Sequence, residues 1–215
     1  MSSGKHRIAV VDTGSGNLRS VQKALSVSGG DVVVSGDPEV IARADKIVVP
    51  GQGAFGGCVA GLDAAGGALR AAISDALASG TPYLGLCLGL QILFDTSDES
   101  ADCKGLGVIP GRVVRFKVPA PLKVPHMGWN PCRQGSAART PMGTALLRDI
   151  PDGTAFYFVH SFYGVPIDPD VVALQSDHGF DFCAAVARDN LFACQFHPEK
   201  SQAAGLRLLH NFVTL

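Results

Sequence analysis

Short apolar runs alternate with helix-like periodicity in the first half of the chain. Strands are predicted at residues 8–12, 32–34, 47–49 and 82–86, where apolar side chains follow one another with little polar interruption. Between them, Leu18, Val21 and Leu25 recur at helical spacing, and an alanine-rich stretch at 64–79 predicts a second helix. Continuous apolar strands that alternate with helices are typical of a parallel sheet covered on both faces.

The second half has a different pattern. Strand candidates at 113–116, 155–159, 171–174 and 182–186 have little helix between them, which favours antiparallel additions to the sheet. A further strand is predicted at 191–194 and a final helix at about 201–212. The sequence therefore predicts one α/β domain over residues 1–215. It is a mostly parallel open sheet flanked by helices on both faces, with added antiparallel strands in the C-terminal half.

The composition narrows the possible functions. The 215 residues are 47% apolar and 17% charged, enough for a sizeable core, and the net charge of −1 gives no reason to expect nucleic acid or an anionic membrane as partner. No apolar run approaches the ~18 residues of a membrane helix, and no signal-peptide pattern opens the chain. The six cysteines form no C-x-x-C pair, which predicts reduced thiols in a cytoplasmic protein. No metal is expected, because no His/Cys grouping has zinc-ligand spacing. No cofactor is expected either, since Gly14-x-Gly16 lacks the third glycine of a dinucleotide fingerprint.

Cys87 lies at the junction of a predicted strand and a predicted helix. Residues 85–89 are G-L-C-L-G, the cysteine form of the nucleophile elbow, in which a reactive side chain occupies a sharp turn. Gly85 and Gly89 would remove Cβ atoms that clash with such a turn. The start of the next helix would favour thiolate at the sulfur. A lone buried cysteine is usually a small apolar residue, so a catalytic interpretation needs a partner base.

His197 and Glu199 supply a candidate base and a group to orient it. They belong to the sequence Q-F-H-P-E, directly after the predicted strand at 191–194. Residues two apart in an extended segment point the same way, so Glu199 can orient the imidazole that serves Cys87. Nucleophile, base and orienting acid together form a catalytic triad. A histidine beside a proline is otherwise most often a surface turn residue.

A glycine-rich loop, residues 50–54, follows the third predicted strand. Attack of a thiolate on an amide would create a negative oxygen, and one backbone donor is typically worth about 3 kcal/mol in the barrier. The N–H of Leu88 and one N–H from this loop are the predicted donors. An ordinary tight turn is the alternative for the loop. It is not a P-loop, because no Gly-Lys-Ser/Thr follows.

Together these motifs resemble the triad-type, or class I, glutamine amidotransferases. Within that class the chain most resembles the glutaminase subunits of imidazole glycerol phosphate synthase, over nearly its whole length. The triad motifs are shared by many amidotransferases. The segment around Asn17 and the sequence H-M-G-W-N at 126–130 point to this subunit. Leu90 also fits it, since the anthranilate and GMP branches tend to have histidine there.

The resemblance implies a reaction. Cys87 would attack the side-chain amide of glutamine, His197 would take and return the proton, and water would release glutamate from a thioester. The ammonia would pass to a (β/α)8-barrel cyclase subunit, with which the chain would form a heterodimer. That subunit would make imidazole glycerol phosphate and aminoimidazole carboxamide ribotide in histidine biosynthesis.

The resemblance also assigns the remaining substrate contacts. Gly53 and Leu88 would form the oxyanion hole. Gln91, Ser161 and Phe162 would bind the substrate, with Phe162 at a position where tyrosine is usual.

A second group of residues resembles the contacts that such subunits make with the cyclase. These interface residues would be Asn17, Trp129, Asn130, Tyr157 and Lys200. Ligands of open α/β sheets bind at the carboxyl ends of the strands. Asn17, Gly53 and Cys87 each follow a predicted strand, so we expect them at one edge of the sheet.

Three alternatives are open at this point. The first is a glutaminase for another synthase, of anthranilate, GMP or pyridoxal phosphate. The second is a cysteine peptidase of a related elbow-bearing fold, whose base usually follows the elbow closely, unlike His197. The third is a binding scaffold without activity, against which the intact Cys87, His197 and Glu199 argue.

Overall fold

A computed structural model describes residues 6–14 and 16–215. Ser15, in the first predicted turn, and residues 1–5 lie outside the described part. None of the helices in the described ranges combines the length and the apolar character that crossing a bilayer requires.

The elements of the first half alternate as the apolar pattern predicts. They are β1 (Arg7–Val11), α1 (Leu18–Val27), β2 (Asp31–Ser35), α2 (Pro38–Ala42), β3 (Lys46–Val49), α3 (Phe55–Ala78), β4 (Tyr83–Leu86), α4 (Leu88–Gln91) and β5 (Thr96–Ser97). The second half is mostly strand. Its elements are β6 (Gly111–Arg115), β7 (His126–Pro131), β8 (Arg133–Gln134), α5 (Pro141–Leu146), β9 (Ala155–His160), β10 (Phe162–Pro166), β11 (Val172–Asp177), β12 (Asp181–Arg188), β13 (Leu191–Cys194) and α6 (Gln202–Val213).

One eight-stranded sheet organises the molecule, in the order β2-β1-β3-β4-β13-β12-β11-β8. The pairs from β2 to β13 are parallel, and β12, β11 and β8 continue the sheet as antiparallel strands. The late strand β13 therefore lies beside β4, with Cys194 paired to Leu86. This places the segments that follow β4 and β13 next to each other.

Successive side chains of the parallel strands point to opposite faces of the sheet. Val48 packs into a core beneath α1 and α6, whereas its neighbour Val49 packs into a second core beneath α2 and α3. The central strands β3 and β4 are buried at every position, and Cys194 and its neighbours in β13 are equally inaccessible. Burial on both faces explains why these strands are continuous apolar runs.

Two of the predicted antiparallel additions lie outside the large sheet. β6 pairs with β10 and β5, and β9 pairs with β7, so these strands form two small sheets. The predicted strands at 171–174 and 182–186 do extend the large sheet. Hydrophobic pattern marks a segment as extended, but it does not specify which partner the strand finds.

The predicted helix at 64–79 is partly wrong. Helix α3 starts at Phe55, and Ala64–Gly67 depart from helical geometry, with φ of 51° at Ala65, 76° at Gly66 and 80° at Gly67. Two consecutive glycines accept left-handed φ values easily, and they interrupt the helix there. Its first half still buries Phe55, Cys58 and Leu62 on one face.

Candidate active site

Cys87 occupies the single-residue turn between β4 and α4. Its φ of 53° and ψ of −99° are unfavourable for a residue with a side chain and cost on the order of 1–3 kcal/mol. The N–H of Cys87 is held by the carbonyl of Cys194 at 2.8 Å. A Cβ on Gly89 would clash with the carbonyl oxygen of Val49, and one on Gly85 with the carbonyl of Gly89. Both glycines are thus needed for the turn, as the sequence predicts.

His197 and Glu199 form a buried pair just beyond β13. Their side chains are 3% and 2% exposed, and Nδ1 of His197 lies 3.0 Å from Oε1 of Glu199. A carboxylate only accepts, so Nδ1 holds a proton and Nε2 is the atom left for chemistry. Because β13 adjoins β4, the imidazole of His197 lies beside Cys87, and both residues line one cavity.

Two opposing effects set the pKa of the His197 imidazole. Burial lowers its pKa, but interactions with Cys87 and then with Glu199 outweigh burial and raise the pKa to about 9. Nε2 itself is buried without a hydrogen-bond partner among the described residues. Cys87 and His197 border the same cavity, and their interaction is the largest contribution that raises this pKa. A protonated imidazole beside a cysteine is an arrangement that favours attack by sulfur.

A cavity of about 350 Å³ opens in front of Cys87. Such a volume is within the range of about 300–1,000 Å³ for small-molecule sites. Eight predicted site residues line it: Gly53, Cys87, Leu88, Gln91, Ser161, Phe162, His197 and Lys200. They come from the loop after β3, from the elbow and helix α4, from Ser161 and Phe162 at the start of β10, and from the segment after β13, at the carboxyl edge of the parallel strands.

Gln91 is held by two acceptors at the back of this cavity. Its Nε2 lies 3.1 Å from the carbonyl oxygen of Phe162 and 3.2 Å from Oε1 of Gln195. Both amide hydrogens are thereby used. Oε1 of Gln91 is the atom available to a ligand.

The loop after β3 packs directly against the elbow. A Cβ on Gly51 would come within 2.5 Å of Cβ of Leu88, and Gly53 has a φ of 111°, which favours glycine. Gly53 and Leu88 border the same cavity. Asn17 lies behind this loop, where it shares a cleft with Glu199. The structure thus brings Asn17, Gly53 and Cys87 to one edge of the sheet.

The other predicted interface residues lie outside the cavity. Trp129 and Tyr157 are register partners on β7 and β9, with ring centroids 6.1 Å apart, and Trp129 is 45% exposed. Met127 is 61% exposed two positions away on the same strand. Asn130 donates from Nδ2 to the carbonyl of Asp177 at 2.5 Å. Met127, Trp129 and Tyr157 form an apolar surface beside the cavity, which Val159, the register partner of Met127, helps to line.

Four residues that shape the site are not among the predicted site residues. Glu99 and His160 line the cavity, and Oε2 of Glu99 accepts from the N–H of Phe55 at 2.7 Å. Ser201 and Gln195 lie behind the triad and the nucleophile. Gln195 opens the Q-F-H-P-E sequence and Ser201 follows it by two residues, so a polar residue in or beside a triad motif was the available signal. Glu99 lies in a polar loop, where nothing in the sequence distinguished it.

The arrangement fits acyl transfer through a cysteine, and comparison with known proteins agrees. Residues 9–215 match the family model described as glutamine amidotransferase class-I, so the chain belongs to this family. Two solved structures share its fold. One is a structure of PurLQS from Thermotoga maritima (TM-score 0.75, 20% identity, 98% of each chain). Another is a crystal structure of a glutamine amidotransferase (TM-score 0.68, 17% identity, 97% of this chain and 99% of that one). At such identities they show the fold alone.

Closer relatives identify the branch within the family. The imidazole glycerol phosphate synthase subunit HisH of Rhodopirellula baltica is 50% identical over 207 residues, covering 96% of this chain and 97% of that protein. The subunit of the same name from Nitrosospira multiformis is 50% identical over 215 residues, covering 96% of each. Among class-I glutamine amidotransferases, the chain therefore belongs with the HisH subunits.

Proposed function

We propose that this chain hydrolyses glutamine as the glutaminase subunit of an imidazole glycerol phosphate synthase and delivers the ammonia to a cyclase subunit. The observation that supports this most is the position of Cys87 at the strained elbow, beside the buried pair of His197 and Glu199. The similarity to HisH subunits favours this synthase over those of anthranilate, GMP or pyridoxal phosphate.

The first half of the reaction forms a thioester. The thiolate of Cys87 attacks the amide carbon, a C–S bond forms, and the carbonyl electron pair moves to oxygen. Backbone N–H groups at Leu88 and Gly53 stabilise that oxyanion. When the intermediate collapses, the C–N bond breaks and His197, which holds a proton at neutral pH, gives it to the departing nitrogen so that ammonia leaves.

The second half returns the enzyme to its starting state. Neutral His197 takes a proton from water, whose oxygen attacks the thioester carbon. The second intermediate collapses with cleavage of the C–S bond, which releases glutamate and regenerates the thiolate. Glu199 keeps Nδ1 of His197 protonated throughout, so that proton transfer is confined to Nε2.

The cavity offers complementary groups for the amino-acid end of glutamine. Glu99 supplies a carboxylate for the α-amino group, and Oε1 of Gln91 is a second acceptor. The backbone of Ser161 and Phe162 borders the same region and is proposed to receive the α-carboxylate and α-amino groups.

Transfer of ammonia requires a partner seated over the cavity mouth. The exposed apolar side chains of Met127 and Trp129 lie on the small sheet whose strand β9 continues into the cavity-lining Val159 and His160. An apolar surface with an aromatic centre is typical of a protein interface. With Asn17, Asn130, Tyr157 and Lys200, it is proposed as the docking surface for a (β/α)8-barrel cyclase.

Replacement of the nucleophile tests the proposal. In the complex with the cyclase, Cys87→Ala and Cys87→Ser should lower glutamine hydrolysis at least about 1,000-fold, while cyclisation driven by added ammonium salt continues. Cys103→Ser is the matched control, because Cys103 is free and does not line the cavity. Retained glutamine turnover in Cys87→Ala would remove the assigned nucleophile, and failure to form a complex with the cyclase would remove the assigned partner.

A further inference from the structure

Gln195 is a fully buried amide next to the nucleophile. It is 0% exposed, follows β13 directly, and its backbone N–H donates to the carbonyl of Ala184 at 2.8 Å. Its side chain lies between Cys87 and Gln91, with Nε2 3.5 Å from the sulfur and Oε1 3.2 Å from Nε2 of Gln91. A buried amide in this position has either a structural role or a chemical one.

The hydrogen-bond directions distinguish the two ends of this amide. The carbonyl oxygen of Phe162 can only accept, so the group of Gln91 that faces it at 3.1 Å must be the NH₂. The second hydrogen of that NH₂ then requires an acceptor, which is Oε1 of Gln195. Gln195 therefore turns its own NH₂ toward Cys87. One main-chain carbonyl thus sets the orientation of two side chains.

We propose that Gln195 is a further catalytic residue, which donates from Nε2 to the sulfur of Cys87 and stabilises its thiolate form. This rests on the proposed role of Cys87 as nucleophile. A hydrogen bond to the charged form of a group favours that form, and a sulfur accepts such a bond at about the observed distance. Among the described residues, Gln195 donates to the sulfur at hydrogen-bond distance, while Nε2 of His197 has no hydrogen bond of acceptable geometry.

The donor acts at two stages of the reaction. It favours the thiolate before attack, and it favours the same thiolate as the leaving group when the C–S bond breaks in thioester hydrolysis. Because the other end of the amide holds Gln91, the nucleophile and a substrate-binding side chain are fixed relative to each other. Gln195 therefore couples the position of the substrate to the position of the attacking atom.

Replacement of Gln195 by methionine tests the donor, since methionine is similar in length and has no N–H. The rate of Cys87 alkylation by iodoacetamide is followed against pH in the complex with the cyclase, by mass spectrometry of the Cys87 peptide. Gln195→Met should lower the alkylation rate at pH 7 about 10-fold, the loss expected for one hydrogen bond to a charged group. It should also displace the alkylation profile to higher pH and lower kcat. Gln175→Met, at an exposed glutamine of β11, is the matched control and should change neither.

A second variant keeps the test decisive if methionine prevents folding. Gln195→Asn retains an amide but is too short to reach the sulfur, so it should show the same alkaline displacement in a protein with unchanged circular dichroism. An unchanged alkylation profile in a folded variant would overturn the proposal for Gln195. Cys87 would still stand as the nucleophile if alkylation of the wild type abolishes glutamine hydrolysis. If instead alkylation of the wild type spares hydrolysis, the proposed function itself fails.

Discussion

The main-chain N–H of His197 donates to the carbonyl oxygen of Tyr157 at 2.9 Å. The bond is reinforced by the hydroxyl of Ser201, which accepts from the N–H of Tyr157 at 2.9 Å and donates to the carbonyl of His197 at 2.7 Å. His197, the proposed base, is therefore linked by hydrogen bonds of its main chain to β9, the strand proposed to contact the cyclase. A displacement of β9 on docking would be transmitted to the imidazole directly.

Loss of the Ser201 hydroxyl should destabilise the protein and slow the reaction. Ser201→Ala leaves the N–H of Tyr157 without its acceptor, at a cost of about 1–3 kcal/mol. Urea unfolding measures the loss, and kcat for glutamine should fall as the His197 segment loosens. Ser26→Ala, at an exposed serine of α1, should stay within about 0.5 kcal/mol of the wild type. Equal effects of the two substitutions on stability and kcat would contradict the structural role of Ser201 between His197 and β9.

Glutamine hydrolysis should decline as the pH rises through about 9. The folded-state pKa of His197 is raised, so the imidazole is protonated below that pH and loses its proton above it, which removes the acid for ammonia departure. Glu199→Gln removes one of the groups that raise this pKa, and the decline should move toward neutral pH. The pH profile of kcat measures it. Glu39→Gln, in an exposed pair with Arg43, should leave the profile in place; a Glu199→Gln profile that also stays in place would count against the assignment.

Stability should fall in mild acid because of two buried neutral histidines. Burial, aided by neighbouring imidazoles, lowers the pKa of His126 to about 4 and that of His160 to about 3, and Nδ1 of His126 lies 3.0 Å from Nε2 of His160. An unfolded histidine takes up its proton near pH 6.5, so the unfolded state binds more protons. Stability therefore drops as the pH falls from about 6.5 to the folded pKa values, about 4 for His126 and about 3 for His160.

The expected loss from pH 7 to pH 5 is about 2 kcal/mol for each of these imidazoles. His126→Gln removes one titrating group and keeps a donor for His160, so its free energy of unfolding should drop about 2 kcal/mol less over that interval. Urea unfolding at the two pH values checks this. His210→Gln, on an exposed position of α6, should retain the wild-type pH dependence.

Trp129→Ala should weaken the complex with the cyclase. A half-exposed tryptophan at the centre of an apolar surface is a typical interface anchor, and its loss costs about 2 kcal/mol, or roughly 30-fold in Kd. Isothermal titration calorimetry measures the affinity. Val27→Ala is the control, because Val27 is 70% exposed at the far end of α1, at the opposite edge of the sheet. Unchanged affinity for Trp129→Ala would move the interface elsewhere.

Much of the parallel sheet was predictable because its strands are buried on both faces. The runs ending at Val49, Leu86 and Cys194 need no polar positions, so hydrophobicity alone marks them. β7 and β10 were missed because exposed and buried positions mix in them and glycines interrupt them, as at Gly128 and Gly164. The first half of α3 was hidden by its glycines, of which Gly61 packs against the carbonyl of Thr13.

The residues of the proposed site likewise differ in how far the sequence predicts them. Cys87 and His197 lie in short motifs whose chemistry is visible in sequence. Glu99 and Gln195 become neighbours of the cavity and of the sulfur only through strand order and loop packing, which local sequence does not contain. Hydrogen-bond direction, such as the orientation that Phe162 imposes on Gln91, likewise requires coordinates.

The insertion of β13 between β4 and β12 has a consequence for biosynthesis. A ribosome makes the N-terminal part first, and the nascent polypeptide contains its thiol more than a hundred codons before its imidazole. Until residues 191–199 emerge and enter the middle of the sheet, the N–H of Cys87 has no carbonyl from Cys194 to hold the turn. A translation product truncated before residue 191 would therefore contain the thiol of Cys87 but neither the imidazole of His197 nor the carbonyl that holds the turn.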